Sequence, residues 1–501
     1  MNDNFVTFEE NLINWYPFSE NSKILIIENT NKEILNIMNQ ISKQVKSITL
    51  SEVDKLNEFF DYIILFSNDV EIKSIEKNLK KEGKLLIIAD NDFGISSFSN
   101  ANREGKLKIE NAKKNVNTII EKLYKNGFIY QNVFLCFPNK ENVELIINAK
   151  QEIDEEKIEK YIPQIPIENI KIFDEVDVLK NMIKYNKKLF NQMGNTYLIE
   201  TSKQNNICDI CYVSFNNCRK KQYRLITRIS SDRVEKISAN EEAKLHIEEM
   251  KENIKILREQ QIELLDYVEG DKLYSKLEKN EKTLANILAQ YYNNLDIVVK
   301  ILNDMKRNLL DMSISYEKID FDKTRKAIKN MDEKDKRKLH FLEDAFWDMI
   351  PKNCFLKNNK YMFFDQEWRE KYLPVEFIIY RSIINSYELI KKIDVNELFD
   401  KLEIQEYIKT FEILDEEIRN EIIDDEIYIN LYKKENKAID NLINDNTAYK
   451  CNDIKQNEYI KSLEKDNIEK QKYIEALEKQ NEEKEKVIKE FNKNKKNFFN
   501  I

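Results

Sequence analysis

Three polar side chains are placed among the apolar residues of WDMIPKNCFLKNNKYMFFDQEW at 347–368: Asp348, Asn353 five residues on, and Asp365 a further twelve on. Phosphoryl transfer asks for these residue types. One carboxylate orients the attacking hydroxyl, while an amide and a second carboxylate hold magnesium on the nucleotide phosphates. A D-x-x-x-x-N pair arises by chance in a chain rich in Asn and Asp. The second Asp, at hairpin distance after the apolar run YMFF, makes the pattern more specific. The bland alternative is three unrelated polar residues. Other chemistries are poorly supplied. The two histidines, His246 and His340, are far apart, and the glycines stand only at 83, 94, 105, 127, 194 and 270, so a glycine-rich loop must use those positions or be absent. CDIC at 208–211 sits in an alternating apolar stretch, where positions i and i+3 face opposite sides of a strand, which favours buried thiols over zinc.

The elements that must position the trio follow a definite order. ICYVSF, YRLITRI and RVEKIS have the apolar alternation of three antiparallel strands. A helix follows from about Asn240, its expected N-cap, with Ala243, Ile247, Met250, Ile254 and Leu257 on one apolar stripe. Next come IELLDYVEGDKL, a strand running into a turn at Gly270, then long helices to about 345, the trio itself, and helices from Pro374 to about 445. This is an α+β order. It resembles protein-kinase-like folds of the aminoglycoside and choline phosphotransferase type, with DYVEGDKL similar to their hinge and WDMIPKN with FFDQEW similar to their catalytic and metal loops. The resemblance implies MgATP as cofactor, with Asp348 as catalytic carboxylate, Asn353 and Asp365 as magnesium ligands, and Lys236 of RVEKIS holding phosphate. Arg228 in LITRI competes with Lys236. Glu242, with Glu249 on the same helix edge, is the expected carboxylate partner of the lysine. Two departures stand out: the first hairpin, SFNNCRKKQ, has no glycine, and Phe346 and Trp347 replace a His-Arg pair. Arg219, Lys220 and Lys221 in that hairpin either meet phosphates or form a solvated turn.

Residues 1–150 alternate β-type runs (KILIIE, VKSITL, FDYIILF, GKLLIIAD, NVFLCFP, VELIINA) with amphipathic helical patterns, predicting a doubly wound α/β domain with a parallel sheet. WYPFSENSKILIIENTNKEIL and EGKLLIIADNDFGI resemble class I S-adenosylmethionine-dependent methyltransferase domains of bacterial surface-glycan gene products. The likeness to those products extends over roughly residues 12 to 445. It implies a Rossmann-like cofactor fold, but the loop after the first strand reads Glu28, Asn29, Thr30, Asn31, Lys32 where glycines are expected. The ribose-binding acidic position corresponds to Thr49, and the chain before FDYIILF is short by a helix and a strand. A degenerate methyltransferase-like domain is expected, with S-adenosylmethionine binding lost. Residues 151–205 read as a connector and 206–445 as the kinase-like domain.

The tail, 446–501, repeats with a period of 14. Ile460, Ile474 and Ile488 share one heptad position and Leu463, Leu477 and Phe491 the other, predicting a coiled coil that self-associates or takes a partner helix through 452–501. The alternative is a solvated or partly disordered tail. With 42% hydrophobic and 34% charged residues the chain can fill more than one core. A net charge of −9 without a basic face argues against nucleic acid. No apolar run reaches the length of a membrane span, and the acidic start is not a signal peptide, so a cytoplasmic protein is expected. Three functions fit: a Mg-dependent phosphotransferase-like protein of surface or flagellar glycan assembly, a scaffold recruiting glycan enzymes through its coiled coil, or a methyltransferase with an atypical loop.

Overall fold

The computed structural model describes residues 7–428 apart from 30, 69–70, 102–114, 153–169, 172, 277–281 and 359. The strands, in chain order, begin with β1 (Lys23–Ile27), β2 (Gln44–Ile48), β3 (Phe60–Phe66), β4 (Leu79–Asp90), the short β5 (Asn100–Ala101), β6 (Tyr130–Phe137), β7 (Leu145–Asn148) and the short β8 (Ile170–Lys171). They continue with β9 (Thr196–Ser202), β10 (Tyr212–Phe215), β11 (Leu225–Ile229), β12 (Arg233–Ser238), β13 (Glu263–Leu264), β14 (Asp266–Glu269) and β15 (Lys272–Lys276). The last four are β16 (Phe341–Ala345), β17 (Cys354–Lys357), β18 (Lys360–Phe363) and β19 (Glu370–Pro374).

Twelve of these form one mixed sheet, in the order β14-β15-β12-β11-β10-β7-β6-β9-β4-β3-β1-β2. From β2 to β4 the pairing is parallel, and from β4 to β14 every neighbour is antiparallel. The continuous apolar runs have a direct cause. Along β1, Leu25 and Ile27 enter one core and Ile24 and Ile26 another, so both faces are covered and no polar alternation survives. Helices seal those faces by ordinary means: Asn31 caps Lys32–Ile41, which buries Ile34 and Met38 one turn apart, and Asn115 caps Val116–Lys125, which buries Val116, Ile119 and Leu123.

Two boundary expectations are corrected. The connector contributes a central strand: β9, buried along its whole length, lies between β4 and β6, and Asp174 caps the helix Glu175–Tyr185 packed beside it. The segment 206–445 does not stand apart either. A strand as apolar as β7 would be an aggregation-prone edge if left open, and β10 closes it by pairing Leu145, Ile146 and Ile147 with Ser214, Val213 and Tyr212. All described residues therefore fall in one compact unit, Met1–Tyr428. The heptad pattern at 446–501 lies outside the described residues.

The second half of the chain adds a helical core that includes Val298, Leu302, Met305, Phe341, Phe377, Ile378 and Phe411. The helix Lys244–Glu259 packs Ile247, Met250 and Ile254 under Leu225 of β11 and Leu273 of β15, and Leu257, next on the same stripe, enters the helical core. Asn240 is not the N-cap expected of it: the helix starts at Lys244 with Ala243 at its N-cap and no side-chain cap, and Asn240 instead accepts from the Ala243 amide in the turn before it. DYVEGDKL is a hairpin within the sheet rather than a crossing segment: β14 and β15 pair, with Gly270 at φ +63 in the turn, a conformation most side chains resist. No helix among the described residues is long and apolar enough to cross a membrane.

Candidate functional site

Strand register decides where Lys236 points. On β12 it lies opposite Thr227 of β11 and Leu273 of β15, and its side chain leaves the sheet toward the loop that follows β18. That loop is FDQEW, and its backbone turns sharply because Asp365 adopts φ +61. A non-glycine residue held in the left-handed region costs energy that the surrounding structure must offset, and such strain clusters at functional sites. Several hydrogen bonds hold it. The Asn253 side-chain amide donates to the Gln366 and Glu367 carbonyls at 3.3 and 3.0 Å, and the Gln366 side chain donates to the Asp348 and Phe364 carbonyls at 3.1 and 2.8 Å.

The outcome is a buried charge cluster. Lys236 Nζ bonds both Asp365 Oδ1 and Glu367 Oε1. Arg219 binds the other oxygen of Glu367 at 2.5 Å and lies over the Trp368 ring at 5.3 Å. Burial alone would lower the lysine pKa, but Asp365 and Glu367 together raise it above its usual value. Burial likewise opposes ionisation of Glu367, yet Arg219 and Lys236 hold it well below the carboxylate range. Burial raises Asp365, against the pull of Lys236. Asp266, opposite Ser275 and hydrogen-bonded by its hydroxyl, is pushed up by burial to about 6.

Asp348 lies beside this cluster at the end of the β16 segment. Its carboxylate is 3.6 Å from Arg381, which stacks over Trp347 at 4.3 Å, and Trp347 stacks on Trp368 at 5.7 Å. Burial pushes Asp348 up to about 7; Arg381 opposes the shift, and Glu367 and Asp365 reinforce it. Asn353 donates its side-chain amide to the Asp348 carbonyl at 3.2 Å, and its own carbonyl accepts from Phe364 N, so the two loops are tied together. Next to them is a cavity of 240 Å³ whose wall includes Trp347, Trp368, Glu367, Glu249, Tyr223 and Arg325.

The structure thus brings Lys236, Asp348, Asn353 and Asp365 into one neighbourhood. The expected Lys236–Glu242 pair is not there. Glu242 is exposed in the turn before the helix, and Glu367 takes the carboxylate role from the loop instead. Glu249 lines the adjacent cavity and faces His246 at 3.6 Å. Arg228 is structural: it bonds Glu235 at 2.5 Å and the Trp15 carbonyl at 3.0 Å. Glu367 was legible in principle as a carboxylate two residues past Asp365. Arg219 and Arg381 carry no local signal, since only folding brings them here. The donor types suit magnesium, which takes few protein ligands plus phosphate oxygens: the Asp365 carboxylate and the Asn353 side-chain oxygen are donors of that kind, and Lys236 bonds Asp365.

The carboxyl ends of β1–β4, where a doubly wound sheet binds its ligand, are arranged differently. Glu28 occupies the turn at φ +62, and its carboxylate accepts from Leu50 N at 2.6 Å. Glu52 takes Thr49 N, Asn29 takes Asn31 N, and Asn31 caps its own helix while donating to Glu9 at 2.6 Å. The Leu50, Thr49, Asn31 and Glu33 amides, which lie after β1 and β2, are already satisfied by side chains of this chain. These residues do not fit S-adenosylmethionine.

No protein-family model matches the chain, and no curated protein matches it. Among solved structures, a SAM-dependent methyltransferase, possible histamine N-methyltransferase, from Thermotoga maritima is similar at 11% identity over 39% of this chain and 87% of its own, with a TM-score of 0.20. A choline kinase from Streptococcus pneumoniae is similar at 10% identity over 45% and 92%, with a TM-score of 0.23. An ADP-bound aminoglycoside phosphotransferase is similar at 14% identity over 42% and 93%, with a TM-score of 0.21. At these TM-scores none of the likenesses establishes a fold or an activity.

Proposed function

We propose that the second half of the chain is a magnesium- and nucleotide-dependent, kinase-like phosphotransferase, carried on a methyltransferase-like half that does not bind S-adenosylmethionine. The observation that supports this reading is the meeting of Lys236, from strand β12, with Asp348, Asn353 and Asp365, from a stretch more than a hundred residues later, around one strained loop. Lys236 would hold nucleotide phosphate, and Asp365 with Asn353 would hold magnesium, which when bound neutralises charge on the transferring phosphoryl group. Asp348, with a pKa of about 7, is poised to take a proton at neutral pH. The acceptor oxygen then bonds to the terminal phosphorus, the bond to the bridging oxygen breaks, the hydroxyl proton passes to Asp348, and the nucleoside diphosphate leaves. The sequence resemblance suggests a place in surface or flagellar glycan assembly and leaves the acceptor open. The test is calorimetry with MgATP on the wild type and Asp365→Asn. Binding that the substitution abolishes supports the reading; no heat and no thermal shift with the wild type ends it.

A second reading is favoured by the self-satisfied ends of β1–β4: a non-catalytic scaffold that recruits glycan enzymes through 452–501. Sedimentation before and after deletion of 452–501 separates the two, since a chain that is monomeric in both forms and recruits no partner is not a scaffold of this kind.

A further inference from the structure

The connection between β10 and β11, residues 216–224, docks across the mouth of the charge cluster, and its two sides are held very differently. On one side Asn217 is buried: its amide donates to the Val143 carbonyl at 3.0 Å, and its oxygen accepts from Asn11 at 2.8 Å, both partners belonging to the first half. On the other side the loop lies along the end of the helix Ile408–Ile422. Asp424 N donates to the Cys218 carbonyl and Lys220 N to the Ile422 carbonyl, each at 2.8 Å, so that Arg219 and Ile423 form an isolated antiparallel bridge. The Lys220 ammonium adds a bond to the Asn420 carbonyl at 2.9 Å. Between these attachments Arg219 reaches inward to Glu367 and the face of Trp368.

We propose that this loop is a latch: hinged at Asn217 and fastened to 422–424, it seats Arg219 on Glu367 and must detach from the helix end before a nucleotide triphosphate reaches Lys236. The inference rests on the phosphotransferase reading for its consequence, nucleotide entry. Its physical basis is competition for charge. Glu367 is shared by two cations, Lys236 and Arg219, with His246 Nε2 at 3.8 Å, and Asp365 also engages Lys236. A triphosphate needs the same lysine, and the docked loop keeps its carboxylate partners in place. At 218–220 the bonds to the helix end are two main-chain bonds and the Lys220 contact, whereas Asn217 is buried, Asn240 holds the Lys221 carbonyl at 3.0 Å and Tyr223 packs on His246 and Trp368. Opening therefore moves 218–220 and leaves Asn217, Tyr223 and Arg224 seated.

Lys220 offers a clean way to undo the fastening. Its φ of −57° and ψ of 148° are values that proline adopts, so Lys220→Pro removes the amide that bonds Ile422 without straining the loop. Lys220→Ala keeps that amide and removes only the ammonium contact. Two measurements follow on the full chain: hydrogen exchange at the Asp424 amide, and calorimetric titration with MgATP. Relative to wild type and Lys220→Ala, the proline variant should exchange Asp424 at least tenfold faster and bind MgATP at least threefold more tightly. Unchanged exchange shows that the main-chain bonds do not hold the loop and overturns the latch. Faster exchange with unchanged MgATP affinity overturns the gating. Binding by neither protein removes the phosphotransferase reading and gating with it, and the exchange result then decides by itself whether the loop is a detachable closure.

Discussion

The two ends of the long sheet solve the same electrostatic problem in opposite ways. At the carboxyl ends of β1–β4, backbone amides are the assets of a ligand site, and Glu28, Glu52, Asn29 and Asn31 consume them locally. Beside β12, the assets are buried charges: Lys236, Arg219 and Arg381 face Asp365, Glu367 and Asp348. A satisfied amide gives an incoming ligand nothing to gain. An ion cluster is different, because a charged ligand can exchange partners with it, and removing one member leaves another uncompensated in a low-dielectric setting. The difference teaches that side chains in the loop after β1 occupy the donors there, whereas the ion pairs beside β12 remain open to exchange.

The comparison breaks first on activity. Asp348→Asn should lower phosphoryl transfer by about 10³-fold, the scale of a lost general base, in a coupled assay for nucleoside diphosphate release. Equal rates in variant and wild type would show that the cluster is structural at both ends of the sheet. Lys236→Met should cost about 3 kcal/mol in chemical denaturation, because the buried Glu367 loses one of its two cations. The sign follows from Glu367: its pKa is depressed in the folded state, so the stability it contributes is present above the ordinary carboxylate range and lost as pH falls. The gap between variant and wild type should therefore shrink below pH ~4.

A pH profile sharpens the picture further. Asp348 must be ionised to accept a proton, so kcat/KM should fall on the acid side of about 7, and the limb should vanish with Asp348→Asn. A profile flat from acid to neutral pH would remove Asp348 from the base role. The smallest effect belongs to the other site. Glu28→Gly relieves a left-handed conformation and should stabilise the protein by about 1 kcal/mol in thermal unfolding, offset in part by the lost bond to Leu50 N. It should leave MgATP binding unchanged; a change there would mean that the two ends of the sheet communicate.

How much of this was legible in the sequence depends on whether the signal was local. The helix stripe of Ile247, Met250, Ile254 and Leu257 and the strand runs KILII and RVEKIS are local patterns, and each took its expected form. The partner of Lys236 was missed because helix position favoured Glu242, whereas the choice between carboxylates depends on how β12 and the FDQEW loop meet. DYVEGDKL was read as a hinge and forms a hairpin, because a turn glycine looks the same in either setting.

Periodicity and residue type, which are properties of neighbours along the chain, determined the α/β character, the cores of individual helices, the vacant glycine loop and the identity of the polar trio. Only tertiary structure decided that β9 from the connector enters the sheet, that β7 and β10 join two expected domains into one sheet, and that Arg219 and Arg381 stand over the two tryptophans. The physical reason is that edge pairing and charge compensation are settled by which groups meet in space. Asp348 and Arg381, or Arg219 and Glu367, carry no mark of each other in the sequence until the strands and loops that hold them are packed.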